Sequence, residues 1–485
     1  MSTIPSIYGV AEGSAPAVLG SDQSGSNTAS TSSASQINTA QWETDGAAIS
    51  DEQQPISLES LPAEIRIHIL KSMPDLKSLG FLIHASPAYF AQYRLDRRTF
   101  LCKTLQQDLG RDVLVDAYAA FKSRSSKVGP RTITSRSVTD FIDLYGEWRH
   151  SGINVATLES MPLVDLRWIT WFHTSTVRPL ADRFSKWALA NLKYAVAMAI
   201  GGERIQPGST LSQICGWPNG WSKTEQRRIL RGFYRFDIFC HLFSGKQRQA
   251  FHHEHIARIF FSQFEPWEVE EMDCVYTWIQ QRYQEVVTEV KWDLHPNNPK
   301  FATDPDYELK PEGAFTLDRD DDEYLNGTIG YGGLRLALHM SKTEDHDQLV
   351  DLMTKYLKRS QVCFFQDCMH DVSQVERRGG VNGFGYKDQA EQRREAMPFI
   401  GDDDASEAPA MVSSICRPPF AWVLLWDAMY CNLYGAYLPD EIRRWGYVMW
   451  DERRWNSIEC AKETLTKLWA SSSQFKMAKE DWEWL

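Results

Sequence analysis

Histidines, cysteines, carboxylates and glycines gather at five places along this chain, and each suggests a chemistry. Phe251-His252-His253-Glu254-His255 has the composition of a metal cluster. A zinc-peptidase helix needs His-Glu-x-x-His, which sets two imidazoles one turn apart. One turn after His253 stands Ala257, so only His252 and His255 could share a face, and the stretch reads as a solvated polar patch. Cys363, Cys368 and His370 are spaced more widely than the paired ligands of structural zinc and have no second pair, so Cys363, beside Phe364-Phe365, reads as a buried thiol. Asp318-Arg-Asp320-Asp-Asp322 opens like a calcium loop. It carries Glu323 and Ile329 where the turn glycine and the bidentate Glu belong, which leaves a solvated acidic loop. Gly379-Gly380-Val-Asn-Gly383-Phe-Gly385 has no apolar strand before it to build a phosphate cradle, and Gly330-Tyr-Gly332-Gly333 fails in the same way. Neither a nucleophile elbow nor a Walker A sequence occurs. The expectation is no catalytic residue, no metal ligand, no cofactor and no enzymatic activity.

Charge narrows the partners. With 64 acidic against 52 basic residues the net charge is −12, which disfavours binding nucleic acid through the whole surface. The doubled arginines, Arg227-Arg228, Arg377-Arg378, Arg393-Arg394, Arg443-Arg444 and Arg453-Arg454, are scattered and interleaved with acids. They read as solvated faces or local ion pairs. No uncharged apolar run reaches the ~18–20 residues that span a bilayer, so no membrane is expected. The nine cysteines are odd in number and widely spaced. Cys102, Cys240 and Cys274 lie inside apolar helical patterns, as reduced thiols of an intracellular protein do, cytoplasmic or nuclear. Among 18 tryptophans, Trp422, Trp426, Trp445, Trp450, Trp455 and Trp469 read as filling gaps between packed helices rather than as a ligand cage.

The elements that would position such residues are helices. Residues 1–54 hold no Lys or Arg and are rich in Ser, Ala and Thr, a composition that points to a disordered tail and to no targeting presequence. Within 55–100 three short helices are expected. Pro62 takes the first helical position of one, with Glu64 two residues on; Asp75 caps the next; Ser86-Pro87 opens a third that runs towards Leu109. A helical connection fills 101–134. A helical domain over 135–485 follows, with patterns at Leu180–Ala199, Lys223–Phe243, Pro266–Val290, Asp345–Lys358, Ala421–Tyr434, Pro439–Met449 and Ser457–Ala470. Loops fall near 295–326 and 371–415. Alternating apolar runs are lacking, so the expected fold is all-α: a small three-helix unit followed by a large, irregular helical domain.

Leu61-Pro62-Ala-Glu64-Ile65, Ile69-Leu70, Asp75-Leu76 and Leu79 together resemble an F-box, in the divergent form found in filamentous-fungal proteins. The match covers about a tenth of the chain. It departs from the family in a short Ser-Met-Pro link between the first two helices and in His84-Ala-Ser-Pro-Ala-Tyr89. Arg231-Gly-Phe-Tyr-Arg-Phe236, Pro266-Trp-Glu-Val-Glu270, Arg417-Pro-Pro-Phe-Ala-Trp422 and Arg444-Trp-Gly-Tyr-Val-Met-Trp-Asp451 look like the C-terminal regions of fungal F-box-like families, to which no reaction is assigned. The resemblance implies that Leu61, Pro62, Glu64, Ile65, Ile69, Leu70, Leu76 and Leu79 dock on the small Skp-type adaptor of a cullin-RING ubiquitin ligase while the rest of the chain holds an unknown target protein. Two other readings stand beside it: an F-box-derived interaction or structural protein that does not bind the adaptor, and an enzyme whose site has no local signature.

Overall fold

The computed structural model describes residues 57–124, 135–153, 155–201, 220–244, 251–301, 313–317, 321–357, 365, 368–369, 386–402 and 417–484. The tail over 1–54, Cys363, His370, Arg377-Arg378, the Gly379–Gly385 stretch and most of the expected loop near 371–415 lie outside them.

Short capped helices open the described chain: α1 (Ala63–Lys71), α2 (Leu76–Ala85) and α3 (Pro87–Leu95). Asp75 caps α2 by accepting the Ser78 N–H at 2.6 Å, and Ser86 caps α3 ahead of Pro87. Two details differ from expectation. Pro62 is the residue before the helix, because its ψ of 150° is extended and helical dihedrals begin at Ala63. The third helix stops at Leu95 instead of running towards Leu109. Asp96 leaves helical geometry and caps the next turn through Thr99 N–H, starting α4 (Arg97–Arg124). That helix is itself broken at Gly110, whose φ of 68° only glycine adopts readily.

From Ser57 to Leu485 the chain is one compact unit. After α4 come α5 (Ser135–Ser151), α6 (Val155–Ser160), α7 (Leu163–Phe172), a π-helical turn (His173–Val177) and α8 (Arg178–Ala199). Then follow α9 (Lys223–Phe243), α10 (His253–Ile259), α11 (Pro266–Val290), α12 (Asp321–Lys342) and α13 (His346–Tyr356). Helices α9 and α11 have the limits that the periodicity predicts, and both open on capping boxes, Ser222 with Glu225 and Glu265 with Glu268. Helix α9 packs against α4, α11 and α12 and is buried on every side from Arg228 to Cys240. At Gly232 a Cβ would lie 2.8 Å from the Glu271 carbonyl oxygen, so glycine permits the close α9–α11 approach. The expected loop after His295 ends early, because α12 takes in Asp321–Asn326 and the Gly330–Gly333 stretch, with a kink at Gly333.

The C-terminal part is made of α14 (Tyr386–Gln392), α15 (Phe420–Leu425), α16 (Asp440–Arg444), α17 (Glu452–Ser457), α18 (Ala461–Ser471) and α19 (Ser473–Trp484). Three expected helices are cut short here. Left-handed Asp427 and Ala428 end α15, and Met429 then forms an isolated antiparallel bridge to Ala396. Gly446, at φ 60°, ends the turn after α16, and left-handed Cys460 delays α18 to Ala461. Trp422, Trp426, Trp445, Trp450, Trp455 and Trp469 are all core, and Trp426 packs against both Trp469 and Trp482. The described residues hold no strand, and the fold is all-α. No described helix is long and apolar enough to cross a membrane.

Candidate functional site

The three-helix unit divides the expected docking residues into two groups. Leu70, Leu76 and Leu79 are core, and Ile69 is partly buried against it. Pro62, Glu64 and Ile65 are exposed and Leu61 is half-buried. Large apolar side chains that the motif did not single out stand in solvent beside them: Leu58, Phe81 at 65% exposure, Phe90 and Leu95 at 79%. The periodicity holds the signal, since Phe81 lies off the Leu76–Leu79 face and Phe90 off the Tyr89–Tyr93 face. Lys77 and Arg94 lie over the rings of Phe81 and Phe90.

Polar contacts fix this unit to the body. Arg66 donates to the carbonyls of Glu59 and Leu61, which ties the entry segment to α1. The Leu76 N–H donates to Asp108 of α4 at 3.1 Å, and Gln107 donates to the Lys71 carbonyl, closing the end of α1. Asp108 also accepts from Gln226 of α9 and faces His173 Nε2 at 3.5 Å. Burial alone would raise the Asp108 pKa, but the His173 hydrogen bond and charge and the Leu76 N–H hold it below the usual range. One carboxylate thus joins α2, α4, α9 and the π-helical turn.

Beneath lies a ladder of buried ions. Arg231 is bidentate to Glu271, with Nε 2.7 Å from Oε2, and its Nη1 lies 2.9 Å from Glu268. Arg235 donates to Asp116 at 3.0 Å and faces Glu268 at 3.2 Å. Tyr145 and Arg149 complete the shell on Asp116 and Glu268. Burial pushes the Glu268 pKa up, but three guanidiniums overcome it and hold the carboxyl well below the ordinary range. Glu271 and Asp116 stay raised by burial. Nearer the C-terminus Arg454 is bidentate to Glu225, and Arg228 bridges Asp451 and Asp402. Arg228, Arg443 and Arg454 of the doubled arginines are thus buried ion-pair members.

One constellation imitates a hydrolase. Ser123 Oγ lies 2.8 Å from His241 Nδ1, and Asp237 lies 3.5 Å from His241 Nε2. Arg124 decides what it can do. Its Nε donates to His241 Nε2 at 2.7 Å, so that nitrogen carries the lone pair and Nδ1 carries the proton. His241 is then a donor to Ser123, whose hydroxyl donates onward to the Ala120 carbonyl at 2.9 Å. Burial lowers the His241 pKa to about 4, so the ring stays neutral, and nothing removes the serine proton. The buried thiols are no better as nucleophiles, since burial pushes Cys102 up to about 11 and Cys240 and Cys274 well above their ordinary value.

Parts of the metal-like motifs lie among the described residues. His252 is exposed at the start of α10, His255 packs its ring on Phe251, and Cys368 is fully buried. Among the described residues no group of three or more His, Cys, Asp or Glu side chains could hold a metal ion. Compared with known proteins, the chain matches no family model, no curated protein and no solved structure.

Proposed function

We propose that the three-helix unit over 57–95 docks on a Skp-type adaptor, and that the helical body attached to it recruits a protein target for ubiquitin transfer. One observation carries the reading. Five of the large apolar side chains left in solvent, Leu58, Ile65, Phe81, Phe90 and Leu95, fall within a stretch that is under a tenth of the chain. The inner face of the same unit is already closed by Leu70, Leu76 and Leu79. The outward residues keep between 41% and 79% of their surface in water, and burying one such side chain in an interface is worth roughly 1.5–3 kcal/mol. The resemblance of Leu61–Leu79 to an F-box names the occupant. Leu61, Pro62, Glu64 and Ile65 are the motif residues that reach the surface and would meet it.

The second reading, an interaction or structural protein that does not bind the adaptor, is favoured by the burial of Leu70, Leu76 and Leu79, which makes part of the motif plain core. Calorimetry with a purified Skp-type adaptor separates the two. Micromolar binding by the wild type, weakened at least about tenfold by Leu61→Ala with Ile65→Ala, supports docking. A wild type that does not bind at micromolar concentration leaves the second reading, and a double variant that binds as well as wild type overturns docking through Leu61 and Ile65.

A further inference from the structure

A cavity of about 340 Å³ opens between α11, the turn at Gly435, α16 and the start of α19. Its walls include Met369 and Leu438, and its charged groups are Asp273, Asp440, Glu441, Arg443 and Arg444. The volume sits near the lower end of small-ligand pockets, room for about one side chain.

The way Arg443 is used leaves one of these acids with an ion pair but no hydrogen bond. Its Nε and Nη2 donate to Glu270 at 3.0 Å each, and its Nη1 donates to Asp440 at 2.9 Å. Glu270 also accepts from the Gly435 N–H at 2.8 Å and from Tyr447 at 3.2 Å, so it is saturated. Gly435, at φ 62°, is the residue that lets that N–H point inward. Asp273 lies 2.8 Å from Arg443 Nε, but the single Nε hydrogen is directed to Glu270. Among the described residues Asp273 therefore accepts no hydrogen bond, although it is only 4% exposed and forms part of the cavity wall. Two further carboxylates, Asp440 and Glu441, border the same space, against one guanidinium already engaged and the exposed Arg444. A buried carboxylate without its own donor is unfavourable, and a cation entering the cavity removes that cost.

We infer that this cavity receives a basic side chain, its guanidinium or ammonium on Asp273 and its methylene stem along Leu438 and Met369, presented by the protein that the helical body recruits. The inference rests on the recruitment reading and names the chemistry of the target. Burial raises the Asp273 pKa to about 7, with Glu270 and Asp440 adding and Arg443 opposing, which agrees with a carboxylate short of a partner.

The test is calorimetric titration of the full chain with N-acetyl-arginine amide, with its neutral citrulline analogue, and with a short peptide carrying one internal arginine. Saturable binding of the arginine amide and the peptide is expected, with the citrulline analogue at least about tenfold weaker. Asp273→Asn should weaken arginine binding by about tenfold or more, and Ala436→Leu, which fills the space and leaves every charge in place, should do the same. Glu441→Gln, at the exposed rim, should cost about two- to threefold. Absence of saturable arginine binding up to about 10 mM, equal binding of citrulline, or an Asp273→Asn variant of unchanged affinity would overturn the inference. Binding of the free amide without the peptide would assign the cavity to a free small cation and overturn the recruited-protein source. Adaptor affinity measured on the same samples keeps the two readings apart, because its loss with arginine binding intact counts against recruitment alone.

Discussion

The N-terminal helices and the α9–α11 pair distribute their side chains in opposite ways. The first region leaves Leu58, Ile65, Phe81, Phe90 and Leu95 in water, whereas the second buries Arg231, Arg235, Glu268, Glu270, Glu271 and Asp273. Both arrangements carry an unfavourable term. Apolar surface in water costs about 25 cal/mol per Å² relative to burial, and a buried ion loses several kcal/mol of hydration before pairing. In α9 and α11 the compensation is internal, since matched pairs meet across the close contact at Gly232. Sliding one helix by a turn would leave Arg231 and Glu271 unpaired, so the charges set the register of the centre. In the N-terminal unit the described chain offers these side chains only the cations of Lys77 and Arg94 over two of the rings.

The largest expected effect comes from breaking the internal compensation. Arg235→Met leaves Asp116 and Glu268 buried with one cation fewer and should lower the unfolding free energy by about 3–5 kcal/mol. Chemical denaturation followed by circular dichroism reads this directly, and a loss below about 1 kcal/mol would mean that the ladder does not hold the centre together. Leu76→Ala follows at about 2–5 kcal/mol, because Leu76 belongs to the continuous core although it sits in the N-terminal three-helix unit.

The helical frame of this contrast was legible in the sequence, and the contrast itself was hidden for physical reasons. Periodicity placed α9 and α11 and, with the Asp75 cap, α2, since 3.6-residue spacing and capping residues are local properties. The ends of α3, α15, α16 and α18 were not visible, because they depend on left-handed or non-helical residues such as Asp96, Asp427, Ala428 and Cys460, whose types do not demand that geometry. The docking motif was readable as a pattern, but its division into core (Leu70, Leu76, Leu79) and surface (Pro62, Glu64, Ile65) depends on α4 packing beneath it. The ionic ladder left a trace that motif spacing does not capture: Glu268, Glu270, Glu271 and Asp273 alternate with Trp267, Val269, Met272 and Cys274 in the first half of α11, and Arg231 and Arg235 fall among the aromatics of mid-α9. Sequence spacing does not show which acid meets which arginine, so neither the ladder nor the ion pair of Asp273 could be assigned.

Asp273 is where the compensation in the centre is incomplete, and pH exposes it. Its folded pKa of about 7 lies above the unfolded value near 3.9, so the folded chain holds a proton that the unfolded chain has released between those limits. Stability from this group is fully present below about pH 4 and is lost as pH rises through 7. Asp273→Asn should therefore be more stable than wild type at pH 8, by on the order of 2 kcal/mol, with the advantage shrinking towards pH 4. Urea midpoints of both proteins at pH 5 and pH 8 measure the difference. A gain at pH 5 equal to that at pH 8 would show that Asp273 is not the titrating group.

The smallest expected effect on stability is the one that separates surface from core in the docking unit. Phe81 and Leu76 sit five residues apart on α2, one in solvent and one in the core. Phe81→Ala removes a ring with no interior neighbour to lose and only a weak Lys77 contact, so its unfolding free energy should stay within about 0.5 kcal/mol of wild type. If Phe81 belongs to the adaptor face with Ile65, the same variant should lose at least about fivefold in adaptor affinity, while Leu76→Ala should lower stability first. A Phe81→Ala protein destabilised as strongly as Leu76→Ala would place the ring in packing rather than at an interface. The contrast between the two regions would then rest on the buried charges alone.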